Sequence, residues 1–119
     1  MATMAEDPCP FAPTAEIVFG KWTAHVLWVL GEHGRLRFSE LRALLPGVTP
    51  KVLTERLRRL ERDGLVTRTY HAEVPPRVEY EATELADTLV PIFRQLTDWN
   101  SEHLHEVHAA QLRYDRALT

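Results

Sequence analysis

Four polar side chains between residues 51 and 58 stand at positions that share one side of an α-helix. Lys51, Glu55 and Arg58 follow one another at intervals of four and three residues, and Thr54 lies beside them. Lysine and arginine donate hydrogen bonds to phosphates and guanine edges, and threonine contacts phosphates or thymine methyl groups. Glutamate can accept from a cytosine amine. This combination predicts a helix face able to read the edges of bases in a DNA duplex.

The residues around this face carry start and stop signals for a helix. Thr49 suits the N-cap position, and Pro50 suits the first helical position because its missing N–H needs no partner there. The pair Asp63-Gly64 is typical of a helix end. Three residues form an apolar stripe on the other side: Leu53, Leu57 and Leu60. The pattern of this helix by itself leaves two interpretations open: a charged face that only contacts solvent, or a face that reads DNA.

The neighbouring segments complete an order of helix, turn, helix and hairpin. Ser39 is predicted to cap the helix that precedes the turn. Alternating apolar residues predict a hairpin over residues 65–82, with a stiff tip at Glu73-Val74-Pro75-Pro76. Arg77 beside the tip would reach a DNA backbone or a minor groove. The pattern indicates a helix-turn-helix over residues 38–64 followed by a wing, and it favours the DNA-reading alternative.

The rest of the chain is predicted to form an arm and further helices. Proline-rich residues 1–13 indicate an extended arm, with regular structure beginning near Thr14. Residues 14–34 predict the first helices, and residues 83–119 predict a final helical region with a break near Pro91. All 119 residues are predicted to form a single domain, because a chain of this length has little room for a second core.

Charge is distributed unevenly along the chain. The net charge is -3, but residues 21–80 contain 11 Lys or Arg against 7 Asp or Glu, and both ends are acidic. DNA binding depends on the charge of one face rather than on the total, so the basic middle is compatible with it. We expect no membrane association and a cytoplasmic location, because no apolar run of about 20 residues and no signal-peptide pattern is present.

A series of short motifs runs in order along the chain from Cys9 to Leu85. They are Cys9-Pro10, Phe19-Gly20-Lys21-Trp22-Thr23, Arg37-Phe38-Ser39-Glu40-Leu41, Pro46-Gly47-Val48-Thr49-Pro50-Lys51-Val52-Leu53-Thr54, Asp63-Gly64-Leu65-Val66, Glu73-Val74-Pro75-Pro76-Arg77-Val78-Glu79-Tyr80 and Thr83-Glu84-Leu85. With these motifs the sequence resembles the HxlR family, a DUF24-type branch of the MarR-like winged-helix regulators of bacteria. The proline-rich wing motif is the most specific of them.

The resemblance implies a mainly α fold with a small β-hairpin wing, a winged helix-turn-helix whose N- and C-terminal helices mediate dimerisation. Residues 83–119 would then pack against a second subunit. The implied function is that of a sequence-specific transcriptional regulator, expected to act as a dimeric repressor on a palindromic operator. The predicted DNA contacts are Ser39, Thr49, Pro50, Lys51, Thr54, Glu55, Arg58 and Arg77.

Cys9, the only cysteine of the chain, precedes the first predicted helix. Some members of the HxlR family sense oxidants or electrophiles with a cysteine at this place, so the resemblance makes Cys9 the candidate redox sensor. A helix dipole could favour its thiolate, which would react with a quinone, an aldehyde or a peroxide, or join the partner's Cys9. An inert packing role is the alternative, and a small ligand in the dimer interface is another possible effector.

Other classes of function find less support in the sequence. An enzyme is not expected, because no nucleophile is paired with a base and no phosphate-binding loop is present. His103, His105 and His108 cannot all converge from one helix, so no metal and no other cofactor is predicted. The second functional hypothesis is a protein-interaction or ligand-binding module that keeps the winged-helix scaffold without using DNA. Lys51 and Arg58 favour the regulator, because such a module has no evident need for them.

Overall fold

A computed structural model describes residues 8–119 of the chain. The contacts divide the described residues into two compact units, which meet between Asp87 and Thr88, and each unit is described by itself. The part of the predicted arm that comprises residues 1–7 lies outside the described residues. The prediction of a single domain over the whole chain stays a prediction.

The first unit begins with two helices, α1 (Ala12–Val18) and α2 (Thr23–His33). The expectation that regular structure starts near Thr14 is wrong by two residues, because α1 already includes Ala12. Pro13 lies in the first turn of α1, where its missing N–H removes no helical hydrogen bond. The predicted arm is therefore shorter than the proline pattern indicated.

Two further helices, α3 (Phe38–Ala43) and α4 (Pro50–Arg62), form the helix-turn-helix. The prediction that Ser39 caps α3 is wrong, because the N-cap is Arg37 and Ser39 lies within the helix. The backbone N–H of Arg37 donates to the Glu40 carboxylate at 2.8 Å. The Glu40 carboxylate therefore accepts the N–H of the N-cap residue, which is the bond that the glutamate makes in a capping box.

Helix α4 has the boundaries that its flanking residues predicted. The Val52 N–H donates to the Thr49 hydroxyl oxygen at 3.2 Å, and Pro50 lies in the first turn. Asp63 is the C-cap, and Gly64 follows with a φ of 78°. Glycine adopts this left-handed conformation without a Cβ clash, which lets the chain leave the helix sharply.

A three-stranded antiparallel sheet follows the helix-turn-helix. Strands β2 (Val66–His71) and β3 (Arg77–Ala82) form the predicted hairpin. Strand β1 (Leu36–Arg37), which the sequence indicated only as a short extended piece, pairs with the other edge of β3. The strand order is therefore β1-β3-β2, and the wing is joined to the body of the unit through β1.

Aliphatic side chains from three helices form the centre of the first unit. The largest fully buried side chains come from α2, α3 and α4: Val26, Leu30, Leu41, Leu53, Leu57 and Leu60. Burial of such a side chain contributes roughly 1.5–3 kcal/mol to folding. Half of these residues belong to α4, so the position of this helix is closely tied to the stability of the core.

The chain continues through the short helix α5 (Glu84–Asp87) into the second unit, which consists mainly of α6 (Val90–Leu118). The predicted break is present, and Pro91 lies in the first turn of α6. No residue of α6 is buried. Its exposed large apolar side chains are Ile92, Leu96, Trp99, Leu104, Leu112, Tyr114 and Leu118. None of the described helices has both the length and the apolar character of a membrane span.

Candidate DNA-binding surface

Helix α4 is held in place by hydrogen bonds as well as by its three buried leucines. The Arg56 Nε donates to the Lys21 carbonyl at 2.9 Å, and the Arg59 Nη2 donates to the Glu16 carbonyl at 3.2 Å. These two arginines therefore connect α4 to α1 and to the turn between α1 and α2. The sequence pattern does not distinguish Arg56 and Arg59 from the other arginines of α4, because their carbonyl partners lie far away along the chain.

The polar face of α4 is open to solvent. Lys51, Glu55 and Arg58 are exposed, and Thr54 is half-buried. Because Leu57 is 2% exposed, the helix cannot rotate about its axis without exposing its apolar stripe. The arrangement therefore presents cationic donors and a carboxylate acceptor together, with the accessibility that contact with base edges requires.

Three other predicted contacts lie near helix starts. Thr49 and Pro50 are exposed. The Thr49 oxygen accepts the Val52 N–H, and its own O–H can still donate to a phosphate. Pro50 lacks an N–H and offers only van der Waals contact. Ser39 is exposed on α3, where it lines a shallow depression together with Phe38, Arg42 and Ala43.

Arg77 occupies the first position of β3 and is held by two carboxylates. Its Nη2 lies 3.3 Å from the Glu73 Oε1, and its Nε lies 3.5 Å from the Glu79 Oε1. The His71 Nε2 lies 2.7 Å from the same oxygen of Glu79. The side chain of Arg77 is 30% exposed, so it lies at the base of the tip rather than extending freely from it. A DNA phosphate would therefore compete with carboxylates for this guanidinium.

A cleft of about 220 Å³ lies between α4 and the sheet. Thr54, Leu57, Arg58, Glu61, Arg68 and Tyr80 line it. Arg68 and Tyr80 are direct partners in the register of β2 and β3, so their side chains project from the same face of the sheet. The sequence pattern does not mark Arg68 or Tyr80 as functional residues. The strand register, combined with the contact between α4 and β2, would have been needed to identify them.

Cys9 is half-buried and stands three residues before α1. Its carbonyl accepts the Ala12 N–H at 3.1 Å, so its backbone is connected to the start of the helix. In the described part of the chain, no group of three or more His, Cys, Asp or Glu side chains could hold a metal ion. On α6, the His103 Nδ1 instead lies 2.6 Å from the Glu106 Oε2.

Comparison with known sequences relates this chain to helix-turn-helix proteins. The profile of the HxlR-like helix-turn-helix family matches residues 17–108, which include the helix-turn-helix, the sheet and much of α6. The chain is 41% identical over 106 residues to the HTH-type transcriptional regulator YkvN of Bacillus subtilis (strain 168). That alignment covers 89% of each of the two chains.

Solved structures show the same architecture. The redox regulator HypR in its reduced form superposes with a TM-score of 0.78 at 36% identity, over 85% of this chain and 99% of HypR. The reduced form of the transcriptional regulator YodB from B. subtilis superposes with a TM-score of 0.71 at 30% identity, over 82% of this chain and 95% of YodB. The likeness to both proteins extends across most of the fold.

Proposed function

This chain belongs to the HxlR-like helix-turn-helix family, and we propose from this premise that it is a transcriptional regulator that binds a specific operator as a homodimer. The observation that carries the proposal is the division of α4 into a leucine face that is buried and a polar face that is open. An α-helix seated in this way fits the major groove of B-DNA and presents its outer side chains to base edges. Lys51, Thr54, Glu55 and Arg58 are the proposed reading residues.

The other predicted contacts serve to position the protein on the duplex. Thr49 and Ser39 can donate hydroxyl hydrogens to phosphates, and Pro50 packs against the backbone. Arg77 contacts a phosphate or the minor groove once it exchanges Glu73 or Glu79 for DNA. Phosphate contacts of this kind contribute affinity at every sequence, whereas contacts from α4 distinguish one operator from another.

The proposed homodimer assembles through α6. This helix exposes large apolar residues from Ile92 to Leu118 and buries none of its residues within the chain, which supports an intermolecular partner. A two-fold dimer presents two copies of α4, so its operator is palindromic, with half-sites about 34 Å apart. Sedimentation equilibrium should give twice the chain mass of 13.7 kDa, and a monomer at micromolar concentration would contradict the dimer.

The regulator is proposed to act as a repressor that responds to oxidation or alkylation at Cys9, or to a small ligand in the dimer interface. HypR is described as a redox regulator, and this description supports a redox signal for a related chain. In the oxidative case, two Cys9 thiols form one S–S bond, and diamide takes up the two hydrogens that they lose. In the electrophilic case, the thiolate adds to a quinone and no external oxidant is required.

DNA binding can be tested with duplexes that the protein itself enriches from genomic fragments. We expect the enriched duplex to bind more tightly than a scrambled duplex, and both affinities to fall steeply between about 50 and 200 mM salt. Arg58→Ala should cost about 5- to 150-fold in operator affinity and relax base preference if Arg58 reads a base. Arg35→Ala, at an exposed position outside α6 and outside the proposed DNA contacts, provides a control for the loss of one positive charge. Equal affinity for both duplexes would contradict the proposed function.

The redox response is tested separately with Cys9→Ser. The variant should bind the operator normally in reducing buffer and should lose any response to diamide or to a quinone. Non-reducing electrophoresis of the wild type distinguishes a disulfide-linked dimer from an alkylated monomer. A Cys9→Ser protein that still responds would show that Cys9 is not the sensor, and the DNA-binding proposal would stand unaffected.

A further inference from the structure

The cleft between α4 and the sheet brings together two guanidinium groups and two hydroxyl groups. Arg58 and Thr54 enter it from the helix, and Arg68 and Tyr80 enter it from the strands. Its volume of about 220 Å³ corresponds to about seven water molecules at roughly 30 Å³ each. Phosphate or a small aromatic carboxylate would therefore fit inside it.

The shape of the cleft follows from regular geometry rather than from a mobile loop. Thr54, Arg58 and Glu61 are separated by four and three residues and lie on one side of α4. Arg68 and Tyr80 are register partners on one face of the antiparallel hairpin. Each side chain is therefore placed by a rigid element, which is the condition for a site that is formed before its ligand arrives.

The charges in the cleft favour an anion. Arg58 and Arg68 provide two positive charges, and Glu61 provides one negative charge. The Arg68 Nε lies 3.6 Å from the Glu61 Oε2, and both side chains are at least 40% exposed, so the pair is loose and its strength modest. The Tyr80 hydroxyl group is protonated at neutral pH and can donate, because the ordinary tyrosine pKa of 10.0 lies well above 7 and burial raises the pKa of Tyr80 further.

We propose that this cleft is an oxyanion site, in which Arg58, Arg68 and Tyr80 hold a carboxylate or phosphate group. Arginine suits this role because its planar group can donate two parallel hydrogen bonds to such an anion. Glu61 competes with the ligand for Arg68. The cleft shares Thr54 and Arg58 with the proposed DNA-reading face, so a small anion bound there opposes DNA binding. This last consequence rests on the proposed function, whereas anion binding itself does not.

The first experiment uses the full chain without DNA. Inorganic phosphate and benzoate are titrated separately at pH 7, with chloride adjusted to keep the ionic strength constant. The side-chain Nε–Hε resonances of Arg58 and Arg68 are followed by NMR. We expect saturable shifts at both arginines with at least one of the probes. Shifts that rise linearly without saturation, or that spread over all arginines, would overturn the proposal.

Three variants test both the sign and the size of the expected change in anion affinity. Arg68→Gln should weaken anion binding about tenfold, because it removes a charged donor. Glu61→Gln should tighten anion binding several-fold, because the substitution removes the carboxylate that competes for Arg68. Arg62→Gln is the matched control, since Arg62 is exposed on α4 but does not line the cleft. Should Arg68→Gln fail to fold, the gain in Glu61→Gln still tests the site, and unchanged affinity there would overturn it.

A second experiment distinguishes the two sources of the anion. If a small molecule is the ligand, the better probe should weaken operator binding of the wild type more than that of Arg68→Gln at constant ionic strength. If a DNA phosphate enters the cleft, Arg68→Gln should also lower the salt slope of operator binding by about 0.9 per protomer. If neither of these two effects is observed, the link between the cleft and DNA binding is overturned. Anion binding without any DNA binding would instead refute the proposed function and leave the oxyanion site intact.

Discussion

The ion pairs of the wing make a quantitative prediction about Arg77. Arg77→Gln removes one positive charge from the proposed phosphate contacts, while the side chain keeps most of its length and polarity. Each phosphate neutralised on B-DNA contributes about 0.9 to the slope of log K against log salt. The slope should therefore fall by up to about 0.9 per protomer, or about 1.8 for a dimer, and affinity at 0.15 M salt by up to about 30-fold.

The carboxylates beside Arg77 make the expected loss of DNA affinity smaller. They also predict that removing one of them strengthens DNA binding. Glu73 and Glu79 lie 3.3 and 3.5 Å from the guanidinium, and a phosphate must displace at least one of them. An exposed pair is worth about 0.2–1 kcal/mol, which corresponds to at most about a fivefold change in affinity. Glu73→Gln should therefore tighten binding by up to about fivefold per protomer.

Fluorescence anisotropy with one operator duplex, repeated over a range of salt concentrations, measures both effects. Arg35→Gln is the control, because Arg35 is exposed and lies outside both the proposed DNA contacts and α6, and the variant makes the same change of charge and side-chain shape. A change in the salt slope with Arg77→Gln no larger than that with Arg35→Gln would refute the proposed phosphate contact. The proposed competition for Arg77 would be refuted if Glu73→Gln weakened binding, since the carboxylate would then support the contact rather than compete with it.

Three predictions concern stability and are measured by urea unfolding. Thr49→Ala should cost about 0.5–2 kcal/mol, because the Val52 N–H loses its acceptor, and Thr49→Ser should retain most of the stability. Leu53→Ala should cost about 2–5 kcal/mol because Leu53 is 0% exposed, and the same change at the 40% exposed Leu44 should cost clearly less. Burial raises the pKa of Tyr80 above 10.0 in the folded state. The resulting contribution of Tyr80 to the free energy of unfolding is therefore complete below pH 10 and is lost as the pH rises through the folded-state pKa. Tyr80→Phe should therefore reduce the alkaline loss of stability, and an unchanged pH profile would contradict this assignment.

Local chemistry made the helix-turn-helix and the hairpin predictable. The Thr49 cap, Pro50 and Gly64 act within a few residues of the helix ends that they define, so their effect can be inferred from the chain alone. The leucine period of α4 likewise indicates its buried side without reference to any partner. The same kind of inference is wrong at Ser39, because the helix begins two residues earlier than a serine cap requires: Arg37 is the N-cap, and its N–H donates to Glu40.

The amino-acid sequence by itself determined the order of the elements, the buried face of α4 and the polar residues opposite to it. Tertiary structure decided which arginines remain available to a ligand. Arg56 and Arg59 bond carbonyls 35 and 43 positions away, while Arg68 joins Arg58 in a cleft formed by α4 and the sheet. Helix caps and periodicity arise from interactions between near neighbours in the chain. The partner of a long charged side chain depends instead on how distant segments pack, and the pattern of one segment does not specify it.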